Sequence, residues 1–237
     1  KAILPNWRLT YDGLSKMEAV KKFFKSFTLT HAYQCTYSVG SYSSYTEWVS
    51  IGKNMGFALD AVGNKPYASS PYNIASVTMT EKFAPLVGVN ATMNNNITFN
   101  AEYRDSRTLT LNSSAGQVVE ASSKSFVIGA GYKIANFNSV LKIKGKQTGV
   151  SNDLTLNFDF TLSNNTALIR KILERTTQAT SGTRTMSINF TANYVVSKKI
   201  TVGAFFDHQV NTPLVSSTSY PTTNTNFGIS FNLSLAK

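Results

Sequence analysis

The residues able to do acid–base, nucleophilic or metal chemistry are few and scattered. The two histidines, His31 and His208, fall on the apolar register of alternating segments. A catalytic or ligating histidine needs a convergent carboxylate, nucleophile or second ligand. The sequence places none beside either, so both read as side chains near an interface or facing a neighbouring protein. Asp159 and Asp207 lie on polar registers and are too isolated to form a carboxylate pair. Cys35 is the single cysteine, which excludes an internal disulfide and leaves no thiolate set for zinc. Gly129-Ala130-Gly131 lacks the third glycine and the following helix of a dinucleotide loop. Small residues alternating along a strand explain it. The expectation is a protein without catalytic residues, metal or cofactor.

The elements that carry these residues are strands. Leu154, Leu156, Phe158, Phe160 and Leu162 alternate with Thr155, Asn157, Asp159 and Thr161, and period two sends the two sets to opposite sides of a sheet. Phe27, Leu29, Tyr33, Tyr37 and Val39 repeat the pattern. So do Phe126 to Ile134, Met186 to Tyr194, with Ile188 and Phe190 between, and Phe227 to Leu235, with Phe231 and Leu233 between. The template gives about nine strands, over 6–11, 26–42, 74–92, 97–111, 124–134, 153–162, 184–196, 199–209 and 225–236. The connections 43–73, 112–123, 163–183 and 210–224 read as long loops. Asn94-Asn95-Asn96 and Val196-Ser197-Lys198 read as tight turns. Residues 12–25 read as a short amphipathic helix with Leu14, Met17, Val20 and Phe24 on one face. Residues 135–152 read as a connection that is not short, and 167–174 as a helical patch.

Alternation alone fits a soluble barrel or a membrane one. Charged residues are 15% of the chain, against about a quarter in ordinary domains. The polar faces carry Thr, Asn, Ser and Gly rather than the Lys and Glu of a solvated exterior. The strands are long, several reaching the roughly 9–11 residues that cross a bilayer at a tilt. These features, with the alternation of short and long connections, point to a transmembrane antiparallel β-barrel segment with one face in lipid and one in a wet lumen. Leu154, Leu156, Phe158, Phe160, Ile188, Phe190, Phe231 and Leu233 would face lipid. Thr155, Asn157, Asp159, Asn189 and Asp207 would face the lumen. The tight turns would be periplasmic and the long loops extracellular. Tyr42, Tyr45 and Trp48 suit an aromatic girdle, with sugar binding as the sharper alternative. Glu102, Arg104, Asp105 and Arg107 read either as a lumenal charge cluster or as a strand continuing beyond the membrane. The formal charge of +11 would bring nucleic acid to mind in a soluble protein. Here the cations lie mostly between strands, as at Lys16, Lys21, Lys22, Lys25, Lys198 and Lys199, and no basic–aromatic reading motif accompanies them. Solubilising turns and lipid-phosphate contacts explain them without nucleic acid.

An odd strand count cannot close a self-contained bacterial barrel, and open edges are prohibitive in lipid. The chain opens at Lys1-Ala-Ile-Leu-Pro5, with neither Met nor a signal peptide. Either a signal has been removed or residues 1–237 are one segment, the C-terminal part of a larger barrel.

Several stretches resemble the C-terminal region of the SprA/Sov family, the outer-membrane translocon of the type IX secretion system in Bacteroidota. They are Leu4-Pro-Asn-Trp-Arg-Leu-Thr-Tyr-Asp-Gly-Leu-Ser15, Leu29-Thr-His-Ala-Tyr33, Thr36-Tyr-Ser-Val-Gly-Ser-Tyr42, Phe83-Ala-Pro-Leu-Val-Gly-Val89, Asn95-Asn-Ile-Thr-Phe99 and Glu102-Tyr-Arg104. Asn211-Thr-Pro-Leu-Val215 and Ser219-Tyr-Pro-Thr-Thr-Asn-Thr-Asn-Phe-Gly-Ile-Ser230 are the most specific. The resemblance implies a very large single-chain barrel that passes folded cargo proteins outward and does no chemistry. It implies as partners the remaining strands of the barrel, a PorV-type barrel protein, a periplasmic plug protein, a peptidyl-prolyl isomerase, cargo proteins and outer-membrane lipids. An ordinary outer-membrane channel and a barrel-anchored surface protein are the competing expectations; a soluble lipid-binding barrel is more distant. The tail Asn226-Phe-Gly-Ile-Ser-Phe-Asn-Leu233 resembles a barrel-assembly signal built from Asn226, Gly228, Phe231 and Leu233. An unfolded last strand offers free backbone groups to another sheet.

Overall fold

A computed structural model describes residues 5–52, 55–59, 62–143, 146–197, 200–215 and 220–233. Twelve strands follow in order: β1 (Trp7–Tyr11), β2 (Phe24–Ser44), β3 (Val49–Gly52), β4 (Met55–Leu59), β5 (Pro66–Ser69), β6 (Tyr72–Met93), β7 (Ile97–Asn112), β8 (Gln117–Ile143), β9 (Lys146–Lys171), β10 (Thr176–Ser197), β11 (Ile200–Pro213) and β12 (Thr222–Leu233). Nine of them form one antiparallel sheet in the order β1-β2-β6-β7-β8-β9-β10-β11-β12. The chain is all-β, as its alternation predicts. The sheet is open: β1 and β12 are its two edges, and it does not close into a barrel among the described residues.

Three segments that read as connections, 112–123, 135–152 and 163–183, are largely strand, and 210–224 is strand at both ends. In 112–123 only 113–116 leave the ladder, and Gly116 supplies a positive φ of 59° at that turn. In 163–183, β9 runs on to Lys171 and β10 starts at Thr176, with Arg175 at φ 52° in the turn. The helix expected at 167–174 is therefore absent. Leu168 pairs with Glu120 on one side and Ala179 on the other, and a ladder bonded on both sides outweighs local helix propensity. Within 135–152, β8 and β9 stay paired from Phe137↔Asn152 to Ile143↔Lys146. In 210–224, β11 extends to Pro213 and β12 begins at Thr222. Segment 43–73 holds a second, three-stranded sheet, β3-β4-β5.

The expected helix at 12–25 is smaller than its pattern. A 3₁₀ turn covers Gly13–Lys16, one helical turn covers Glu18–Lys21, and Phe24 already belongs to β2. Asn94 Nδ2 donates to the Lys21 and Lys22 carbonyls at 3.2 and 2.9 Å, tying this turn to the 94–96 turn beside it. Asn96 takes the left-handed φ of 65° that closes β6 to β7. The expected turn at 196–198 falls partly outside the described residues, which resume at Ile200 after Ser197; the expected last strand residues 234–236 lie outside them too.

Long and short connections do not alternate as the sequence implies. The hairpins differ instead in how far they stand beyond a common band. β7–β8 and β9–β10 project at one end, and β8–β9 projects at the other.

The sheet is a single layer. Among the described residues no large side chain is fully buried. A soluble domain of this length buries most of the surface its unfolded chain exposes. Here the ladders supply the cohesion and both faces stay open.

Candidate functional site

The register decides which side chains share a face, because paired residues of an antiparallel ladder point the same way. Phe158 pairs with Phe190, Phe190 with Phe206, and Phe206 with Phe227. Phe160 pairs with Ile188 and with Ile128. Leu156 pairs with Tyr132 and Ala192, and Leu154 with Ile134 and Tyr194. Phe231 joins the same rows through Val202, and Leu233 pairs with Ile200. All eight residues expected to face lipid thus lie on one face. Phe158 and Phe190 are 40% and 39% exposed, and Phe231 at the edge 75%. From Leu154 to Leu162 the apolar alternation covers nine residues, within the roughly 9–11 with which a tilted strand crosses a bilayer.

The five residues expected to face a lumen lie together on the opposite face. Asp159 pairs with Asn189, and Asn189 with Asp207. Asn157 Nδ2 donates to Thr191 Oγ1 at 3.3 Å, and Thr155 pairs with Asn193. Asp159 and Asp207, isolated in sequence, stand in one row on either side of Asn189, about 10 Å apart by strand spacing. The row runs Asn100–Gly129–Asp159–Asn189–Asp207–Asn226. Gly129 and Gly131 have a local use here. A Cβ at Gly129 would meet Asn100 Oδ1 and stand 2.8 Å from Asp159 Oδ1; at Gly131 it would stand 2.6 Å from Thr98 Oγ1. Amides and hydroxyls of neighbouring strands lie flat across these glycines. The result is a smooth face rich in neutral hydrogen-bonding groups.

The four charges at 102–107 do not form one cluster. Alternation sends Glu102 and Arg104 to the polar face, where Arg104 Nε and Nη2 donate to Glu102 Oε2 at 2.9 and 2.5 Å. Asp105 and Arg107 lie on the apolar face. There Lys124 Nζ stands 3.6 Å from Asp105, Arg107 Nε forms an ion pair with Glu120 Oε1 at 2.9 Å, and Arg170 Nη2 donates to Glu120 Oε2 at 2.5 Å. Sequence reasoning missed Glu120 and Arg170 because both fall in stretches read as loops. Alternation of Val118, Glu120 and Ser122 was the available signal, but its apolar contrast is weak.

His31 lies on the apolar face where β2 and β6 lose register between Thr30 and Tyr33, and Pro85, which has no N–H to give the ladder, falls in the same gap on β6. Its Nδ1 donates to the Leu86 carbonyl at 2.6 Å, and its ring lies among Trp7 and Phe83. His208 stacks on Phe206 at 6.4 Å, with Nδ1 2.8 Å from Thr225 Oγ1. Among the described residues no group of three or more His, Cys, Asp or Glu side chains is placed to hold a metal ion.

Tyr42, Tyr45 and Trp48 separate. Tyr42 meets Tyr72 edge-on across β2 and β6, at 5.7 Å. Tyr45 meets Tyr67 of the small sheet, and Trp48 Nε1 donates to the Ser69 carbonyl at 3.2 Å. Hydrogen bonds from Tyr67 and Ser69 hold the Tyr45 phenol below the ordinary tyrosine value. Asn226, Gly228, Phe231 and Leu233 all lie in β12, an edge strand that among the described residues pairs with β11 alone. Phe231 and Leu233 share the apolar face, while a Cβ at Gly228 would stand 2.8 Å from the Phe205 ring on the other.

No protein-family model matches the sequence, and a search of curated proteins finds no match.

Proposed function

We propose that this sheet is a transbilayer wall in the outer membrane of a Gram-negative bacterium, and that the pore it helps enclose conducts protein. The observation that carries the membrane part is one sheet with two unlike open faces and, among the described residues, no large side chain fully buried: a band of Leu, Ile and aromatic side chains on one face, Asn, Thr, Ser and Gly on the other. No helix among the described residues is long and apolar enough to span a bilayer, so crossing would fall to the strands. Backbone groups in hydrocarbon must be paired, so β1 and β12 would take further strands as neighbours.

The protein-conducting reading rests on the resemblance to the SprA/Sov translocon. The flat polar face supports it, since a wall of Asn, Thr, Ser and Gly gives a passing polypeptide no apolar band to hold it. The resemblance supplies the partners of this reading: a PorV-type barrel protein, a periplasmic plug, a peptidyl-prolyl isomerase and the cargo. In the same reading the 94–96 turn is periplasmic, and the β7–β8 and β9–β10 tips are extracellular. Cysteines at 114 and 173, with Cys35 replaced, should then react with an impermeant thiol reagent on intact cells, and one at Asn95 should not; the reverse pattern inverts the orientation.

The functional test is replacement of the gene by a variant carrying Phe158→Arg with Phe190→Arg. Secreted proteins should accumulate in the periplasm while uptake of small solutes is unchanged. Normal secretion with impaired solute uptake would favour an ordinary channel.

A further inference from the structure

The apolar face changes character above its hydrophobic band. Asp105 pairs with Lys124, Lys124 with Asn164, and Asn164 with Arg184, in one continuous row. The next row holds Arg107 between Glu81 on one side and the small residues Ser122 and Thr166 on the other. Above it Glu120 stands in register between Leu109 and Leu168. It is 9% exposed, a buried charge. Its two carboxylate oxygens receive Arg107 from β7 and Arg170 from β9.

A buried carboxylate held between two leucines cannot wander, so it fixes both guanidinium groups. Each guanidinium has five N–H donors in a planar fork, and Glu120 engages only one oxygen with each. The two arginine side chains remain 44% and 50% exposed. Lys124 is only loosely held by Asp105 at 3.6 Å, and Arg184 Nε donates to the neutral Asn164 Oδ1 at 2.9 Å. With Glu81, which pairs with Arg107 on the same face, four cations here oppose three carboxylates. A patch serving only to tie strands together would need no such excess. The shelf of Ser122 and Thr166 between the cations leaves room for a bulky anion.

We propose that Arg107, Glu120 and Arg170, with Lys124 and Arg184 below them, form a binding site for the phosphate of an anionic lipid headgroup. The inference rests on the membrane reading, because the site lies where the apolar face stops and on the same side as that face. Glu120 is a positioning residue; the two arginines bind phosphate as paired forks, and the other two cations hold its remaining charge.

The test uses the detergent-extracted barrel that contains this chain, with its further strands in place, exchanged into phosphatidylcholine bilayers doped with diphosphoryl lipid A or with its dephosphorylated form. Retained lipid is measured by mass spectrometry after gel filtration. The chain should retain the phosphorylated lipid about tenfold better. R107Q/R170Q should abolish that preference, and R107K/R170K should recover only part of it, since lysine keeps charge but not the fork. K124Q/R184Q leaves the triad intact and should also weaken retention, so the proposal stays open to refutation if R107Q/R170Q fails to fold. Equal retention of the two lipids, or full preference in K124Q/R184Q, overturns it. Displacement of the lipid by equimolar inorganic phosphate would make free phosphate the ligand and overturn the lipid source. A chain that stays in solution without detergent would overturn the membrane reading itself, whereas a detergent-dependent chain without phosphate preference overturns this site alone.

Discussion

The lower and upper halves of β7–β10 are built from the same ladder with different side chains. Below, five successive positions of β9 from Leu154 to Leu162 are apolar on one face, and their partners Phe190, Ile188, Ile128 and Tyr132 match them. Above, the same face carries Lys124, Asn164, Arg184, Arg107, Glu120 and Arg170, joined by ion pairs and amide contacts. Backbone pairing does not change across the boundary: Phe126↔Leu162 is followed by Lys124↔Asn164 without a break. Under the proposed membrane reading, the side chains mark a change of surrounding medium while the strand continues through it.

The largest expected effect breaks the lower half. Phe158→Arg places a cation in the apolar band and should cost about 2–4 kcal/mol if that band is in lipid. Asn157→Arg, one residue away on the other face, should assemble normally. Heat-modifiable gel migration of membrane-extracted protein reads both. Equal defects would mean the faces are not in different media.

Next comes the same band at the sheet's edge. Phe231→Asp with Leu233→Asp should leave the chain unassembled in the periplasm. The assembly-signal reading adds that a peptide of residues 224–237 should compete for assembly of other barrels better than a scrambled one. A peptide no better than scrambled would reduce β12 to an ordinary edge strand.

In the upper half, Glu120→Gln removes the charge that holds two arginines but leaves the ladder. The expected loss is about 1–3 kcal/mol, confined by hydrogen exchange to the amides around Arg107 and Arg170. Faster exchange spreading to Phe158 and Phe190 would show that the halves are not separable.

The smallest effect concerns the polar face. Gly129→Ala would crowd Asn100 and Asp159, but the crowded atoms are side-chain tips that can turn away. A loss within about 1 kcal/mol is expected from thermal denaturation. A much larger one would mean that the Asn100–Gly129–Asp159 row is rigid.

The boundary also explains what was legible in the sequence. The nine sheet strands and their two faces were readable because apolar alternation is strong between Leu154 and Leu162 and its partners. Strand ends were misplaced where that contrast stops. Leu162 looks like a terminus, but β9 continues to Lys171 because β8 and β10 continue beside it. Pairing is non-local, so Leu168 and Ile169 could pass for helix until Glu120 and Ala179 were known to flank Leu168. The small sheet β3-β4-β5 was hidden for a similar reason: its strands have only four or five residues each, too short for a period to register. Glu120 became visible as a shared carboxylate only once Arg107 and Arg170 were placed on neighbouring strands.

In the membrane reading the two faces of this sheet meet different media, lipid and water, and the difference ends where the charges begin. Spin labels at single cysteines from 154 to 170, in a Cys35→Ser background reconstituted in lipid bilayers, test it directly. Collision with dissolved oxygen should peak at Leu154, Leu156, Phe158, Phe160 and Leu162. Collision with a water-soluble nickel chelate should peak at Thr155, Asn157, Asp159 and Thr161, and both alternations should fade beyond Asn164. Equal chelate access on the two faces between 154 and 162 would contradict the claim.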